Sequence, residues 1–167
     1  KNKRISVIST GIGSDNIDIV LNELDALVNI DFKYRKIKAH LTSLKIIRIG
    51  TSGALQAEIP VDAFLLSSHG LDLNGMLQYY PIGEIGNKEF ETAFCIHSNW
   101  GNNRAKPILI QNSKNIEEKL MSDRVLKGVT ATCAGFYAPQ GRSLRLKTKD
   151  TDFFDKLQSF VYKGMKI

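Results

Sequence analysis

The chain has 167 residues, 43% of them apolar and 24% charged, which is ordinary globular composition and enough for one domain with a substantial core. The net charge of +6, from 23 basic and 17 acidic residues, favours an anionic small molecule. The basic residues are scattered, so no nucleic-acid patch is indicated, and no apolar run approaches the ~18 residues that would span a membrane.

In chain order, residues 4–9 read as a strand, with Ile5, Val7 and Ile8 around a small Ser6. The turn Thr10-Gly11-Ile12-Gly13-Ser14 leads into a helix capped by Ser14 or Asp15. Its apolar stripe is Ile17, Val20, Leu21, Leu24 and Leu27. A strand, glycine turn and helix in this order predict a parallel sheet. Residues 33–44 are polar and basic and read as a second short helix, and residues 45–50 as the next strand.

Residues 63–69 read as a further strand, and residues 77–87, with Pro81, Gly83 and Gly86, as a loop. A helix over 88–100 would place Phe90, Phe94 and either Ile96 or His97 on one side. A short strand follows at 107–111. Next comes a helix over 113–121, with Ser113 as cap and Glu117 and Glu118 in its early turns. The β-branched run 127–133 predicts a strand that feeds the loop 134–142. Residues 150–162 read as a closing amphipathic helix carrying Phe153, Phe154, Leu157, Phe160 and Val161. Strands alternate with helices and no repeat or linker intervenes, so the expectation is one α/β domain over 1–167.

Three segments carry candidate chemistry. The Thr10–Ser14 turn would present backbone N–H groups at a helix start, but Asn16 stands where a dinucleotide fingerprint needs its third glycine. In Ile46-Ile47-Arg48-Ile49-Gly50-Thr51-Ser52-Gly53, an arginine between isoleucines needs an opposite charge, and no acidic residue follows until Glu58. A bound anion meets that need: guanidinium donors match phosphate oxygens, Thr51 and Ser52 add hydroxyls, and the glycines allow close approach. The competing reading is a structural ion pair with a distant carboxylate. The loop Phe136 to Arg142 lies beyond a strand's C-terminal end, where ligands sit in open α/β sheets. Gln140 offers a donor and an acceptor together, Arg142 can bond a carbonyl, and Phe136 can stack on a planar ring. Taken alone, that loop also fits an ordinary surface turn.

His40, His69 and His97 have no partners at metal spacing. Asp72, after the third predicted strand, is an unsupported candidate general base. Cys95 and Cys133 read as reduced, buried thiols of a cytosolic protein.

The run Ser-Thr-Gly-Ile-Gly-Ser, then Ile-Arg-Ile-Gly-Thr-Ser-Gly-Ala-Leu-Gln, then Gly-Val-Thr-Ala-Thr-Cys-Ala-Gly-Phe-Tyr-Ala-Pro-Gln-Gly-Arg resembles the nucleoside phosphorylase superfamily. The likeness is strongest to uridine phosphorylases, through Phe-Tyr-x-x-Gln-x-Arg. The resemblance implies a three-layer α/β fold with a central mixed, twisted sheet. It implies phosphorolysis of a nucleoside to free base and ribose 1-phosphate, as in pyrimidine nucleoside salvage in the cytoplasm. Arg48 and Thr51 would bind phosphate, and Ser52 and Gly53 would line the base pocket. Phe136 would pack on the base, and Gln140 and Arg142 would hydrogen-bond it. Arg48, Thr51 and Arg142 would carry catalysis, with no metal or organic cofactor and inorganic phosphate as co-substrate. The resemblance further implies a homo-oligomer, a dimer or a trimer of dimers. Against the family pattern, a Gly-Asp-Pro-x-Arg strand before Lys1 and an Asn-x-Glu-Met-Glu segment after Ile167 are not in this sequence, so the domain is expected to be incomplete at both ends. A purine nucleoside phosphorylase, a nucleosidase and a non-catalytic nucleoside- or phosphate-binding subunit are the alternatives.

Overall fold

The computed structural model describes residues 4–83 and 85–167. They group into two units, 1–51 and 52–167.

The first unit is built on helix α1 (Ser14–Asn29) and a short hairpin, β1 (Ile30–Asp31) with β2 (Lys36–Ile37). Gly13, not Ser14 or Asp15, caps α1. Its φ of 105° is open to glycine, and a Cβ there would stand 2.5 Å from Asp15 Oδ1. At the other end the Asn29 side chain donates to Asp25 Oδ1 (2.7 Å) and accepts from Thr42 N (2.7 Å), tying the following segment to the helix. The expected helix over 33–44 is absent. Asp31 Oδ1 accepts from the N–H groups of Lys33 (3.0 Å) and Tyr34 (3.1 Å), and Arg35 takes φ 51°. The left-handed Arg35 and the pairing of Ile30 with Ile37 and Asp31 with Lys36 close the segment into a hairpin, so no helix can run through it.

The two strands expected over 4–9 and 45–50 are also not formed. β-branched composition supplies propensity, but a strand exists only when a neighbour takes its hydrogen bonds. Among the described residues neither segment has a ladder partner. Val7 is 93% exposed and Ile49 91%, so Arg48 does not sit inside an apolar strand as expected.

The second unit holds the mixed α/β sheet. Its elements are β3 (Phe64–Asp72), α2 (Lys88–Ser98), β4 (Ile108–Gln111), α3 (Lys114–Leu120), β5 (Val125–Thr132), α4 (Phe153–Ser159), β6 (Val161–Tyr162) and β7 (Met165–Lys166). The order is β4-β3-β5, with β4 antiparallel and β5 parallel to β3. An irregularity between Ser67 and His69 shifts the β3–β5 register, and Ser67 Oγ meets Thr130 Oγ1 at 2.6 Å across it.

Phe90, Phe94 and Ser98 recur every four residues along α2 and form its buried face. Phe90 and Phe94 are 0% exposed and meet the Phe160 ring edge-on at 5.1 and 5.3 Å. Asn87 caps this helix by accepting from Phe90 N (3.0 Å). Leu71, Leu109, Val129, Phe153 and Leu157 complete the core with them. The closing helix is shorter than expected. It ends at Ser159, and Val161 is turned outward. Lys163 and Gly164 take φ of 48° and 81°, the pair a two-residue hairpin requires, so the last residues become β6 and β7.

Candidate active site

The candidate residues 136–142 lie on the loop that follows β5. Leu73 N, just past the end of β3, donates to the O of Thr132, the last paired residue of β5 (2.9 Å), and the chain then leaves the sheet through residues 134–142. Tyr137 O accepts from Gln140 N (2.9 Å) and Arg142 N (3.0 Å), which winds residues 138–140 into a short 3-10 turn. Gly141 follows at φ 74°. A Cβ there would lie 3.5 Å from Phe153 Cβ and Phe154 N, so the loop rests on the start of α4. That start is held in turn by Asp150, which accepts from Arg104 (2.9 Å) and Lys156 (3.1 Å).

The Arg142 guanidinium lies 4.3 Å from the Phe136 ring centre and 5.5 Å from that of Phe154. A Cβ built on Gly53 would stand 3.4 Å from Arg142 Nη2, so Gly53 borders the same group. Among the described residues Arg142 has no carboxylate partner. Phe136 is 60% exposed and meets Tyr137 edge-on at 5.4 Å. The structure therefore brings Gly53, Phe136 and Arg142 together, with Gln140 on the 3-10 turn that precedes Arg142 and Ser52 exposed beside Gly53. Such a set offers an aromatic face, an amide and a forked cation to a planar ring bearing carbonyls.

Arg48 and Thr51 lie at the end of the first unit, both exposed. A Cβ on Gly50 would stand 3.1 Å from Arg48 Nη1, so the guanidinium folds back over that glycine and needs it small. Among the described residues Arg48 forms no ion pair.

The remaining candidates are structural. Asp72, 8% exposed, accepts from the N–H groups of Asn74 (2.8 Å), Gly75 (3.2 Å) and Leu77 (3.1 Å) and organises the turn after β3. His97 Nε2 bonds Lys156 O and Ser159 Oγ, both at 3.1 Å, and joins α2 to α4. His69 Nδ1 meets Ser68 Oγ at 3.0 Å, and burial, helped by the charge of Lys127, holds its pKa below the ordinary imidazole value. Both cysteines are free and half-buried, not fully buried as expected; burial pushes the Cys133 thiol up to about 11 and raises that of Cys95. The residue that the pattern did not single out for the site is Phe154. Its signal was the Phe153-Phe154 pair, since a helix can bury only one of two consecutive rings on a single face.

A family model described as the phosphorylase superfamily matches residues 1–159. The chain belongs to that superfamily. No curated protein sequence matches it. Among solved structures, a Trypanosoma brucei nucleoside phosphorylase described as showing uridine phosphorylase activity superimposes with a TM-score of 0.73 at 23% identity. The match covers 95% of this chain and 60% of that one, so this superfamily member spans about 60% of its structural relative. The likeness extends the observed α/β mixed sheet to a shared nucleoside phosphorylase fold, as the sequence motifs implied.

Proposed function

We propose that this protein is a uridine phosphorylase, converting uridine and inorganic phosphate to uracil and ribose 1-phosphate. The observation that carries this reading is the Arg142 guanidinium, which lies over the Phe136 ring and has no carboxylate partner among the described residues, two positions after Gln140. Uracil presents an N–H between two carbonyls. The Gln140 amide matches one N–H and C=O pair, and Arg142 donates to a carbonyl. Superfamily membership and the nucleoside phosphorylase fold support the reaction class.

The chemistry assigned to these residues is electrostatic. The bond between the ribose anomeric carbon and the uracil nitrogen breaks, and its electron pair passes to the base and spreads onto the carbonyl oxygens. A phosphate oxygen forms the new bond to the anomeric carbon from the opposite face. Arg142 and Gln140 stabilise the charge gathering on the base, while Arg48 and Thr51 bind and orient phosphate. Ser52 and Gly53 bound the base side. The resting uracil anion takes its proton from solvent. The reaction so written needs no metal or organic cofactor. A role in cytoplasmic nucleoside salvage and a homo-oligomeric state complete the proposal.

The test is base release from uridine, thymidine, inosine and adenosine, with and without phosphate. Phosphate-dependent release of uracil is the expected result. Release without phosphate would instead make the protein a nucleosidase. Preference for inosine would make it a purine enzyme, and binding without release would make it a non-catalytic subunit. Arg142→Ala should lower uridine turnover by about a hundredfold, the usual loss for one preorganised donor, with phosphate binding intact. Equal loss of both would remove the assigned role.

A further inference from the structure

The Arg142 side chain presents a problem of its own. A long, flexible cation with no carboxylate among the described residues to hold it should sample many rotamers, and a donor that wanders stabilises no leaving group. Something other than an ion pair must fix it, and the fixing group must leave the N–H fork free. An aromatic face does this, because it attracts the cation through its π-density without consuming a hydrogen-bond donor. Two rings are in reach. Phe136, the nearer at 4.3 Å, lies on the base loop itself and is 60% exposed. Phe154 lies on α4, at 5.5 Å, and is partly buried against a helix start pinned by Asp150 to Arg104 and Lys156. Gly141 seats the loop against the backbone of the same residue. The ring on the fixed element, not the ring on the loop, has the rigidity to define where the guanidinium rests.

Resting on the uridine phosphorylase reading, we propose that Phe154 is a positioning residue that holds the Arg142 guanidinium, through its ring face, in the place where charge develops on the departing base.

The test compares Phe154→Leu, which keeps apolar bulk but removes the ring, with Phe154→Tyr, which restores it. In the intact protein, Phe154→Leu should lower kcat for uridine about tenfold, the scale of a partly desolvated cation–ring contact, and leave the KM for phosphate unchanged. Phe154→Tyr should recover most of the loss. The loss should shrink for 5-fluorouridine, whose more acidic base leaves with less help, whereas a general weakening of the fold would reduce both substrates alike. A second readout does not depend on turnover. The Arg142 Nε–H resonance, identified by its disappearance in Arg142→Lys, should shift and broaden in Phe154→Leu and return in Phe154→Tyr. An unchanged resonance in Phe154→Leu, or equal losses on the two substrates, would overturn the positioning role. A wild-type protein that releases no uracil, yet shows the resonance change, would remove the proposed reaction and leave the role of Phe154 standing.

Discussion

Asp72 shows how a side chain that looks chemical can be wholly occupied by structure. Its two oxygens receive three backbone N–H groups, and it is nearly buried. Asp72→Ala would strand those donors. The expected cost is about 2–4 kcal/mol, read as a drop in the urea midpoint with little change in slope. Asparagine at the same position should recover part of it, since its carbonyl oxygen can still accept. His69 carries a pH signature. Burial and Lys127 lower its folded pKa, with Glu117 opposing them. Between the folded and unfolded values the unfolded chain therefore binds more protons, so stability is full above the unfolded imidazole value and falls as pH drops through that window. Thermal midpoints taken on either side of it should differ in the wild type and converge in His69→Gln. Neither role was visible in the sequence, because each depends on which backbone donors or charges the fold brings up to the side chain.

At the level of elements, legibility tracked whether a segment carried its own partners. Helix α2 was readable because its four-residue aromatic spacing is local. Strands β3, β4 and β5 were readable because each is a short apolar run bounded by turn residues, and they found one another. The runs 4–9 and 45–50 have similar composition, but propensity cannot name a partner. Residues 33–44 do not form the expected helix because a left-handed Arg35 closes a hairpin between Ile30–Asp31 and Lys36–Ile37, which polar composition alone does not reveal. The same locality explains the candidate site. Phe136, Gln140 and Arg142 share one loop and were readable together, while Phe154 reaches Arg142 from another element. The α2 face gives the clearest test of packing. Phe94 is fully buried and touches the rings of Phe160 and Trp100. Phe94→Ala should cost about 3–5 kcal/mol, whereas Ile96→Ala, on the exposed side of the same helix, should change denaturation by less than about 0.5 kcal/mol.

Across the whole molecule the charge balance matters more than any one pair. The chain carries +6, and the ion pairs of Lys163 with Glu89 and Lys166 with Glu58 lie in solvent, where they add little to stability. Excess positive charge instead favours the arrival of anions. Raising ionic strength from about 0.1 to about 1 M shortens the screening length from about 10 to about 3 Å, and the KM for phosphate should rise with it while the KM for uridine, a neutral molecule, changes far less. Initial rates at fixed uridine and varied salt would measure the difference. Arg48 gives this general field a local counterpart, because no carboxylate of the described chain neutralises it. On the proposed reading its counter-ion is the phosphate substrate. Sulfate has the shape and charge of the phosphate dianion, so a sample purified by ammonium sulfate precipitation should arrive partly self-inhibited and regain activity on dialysis into chloride.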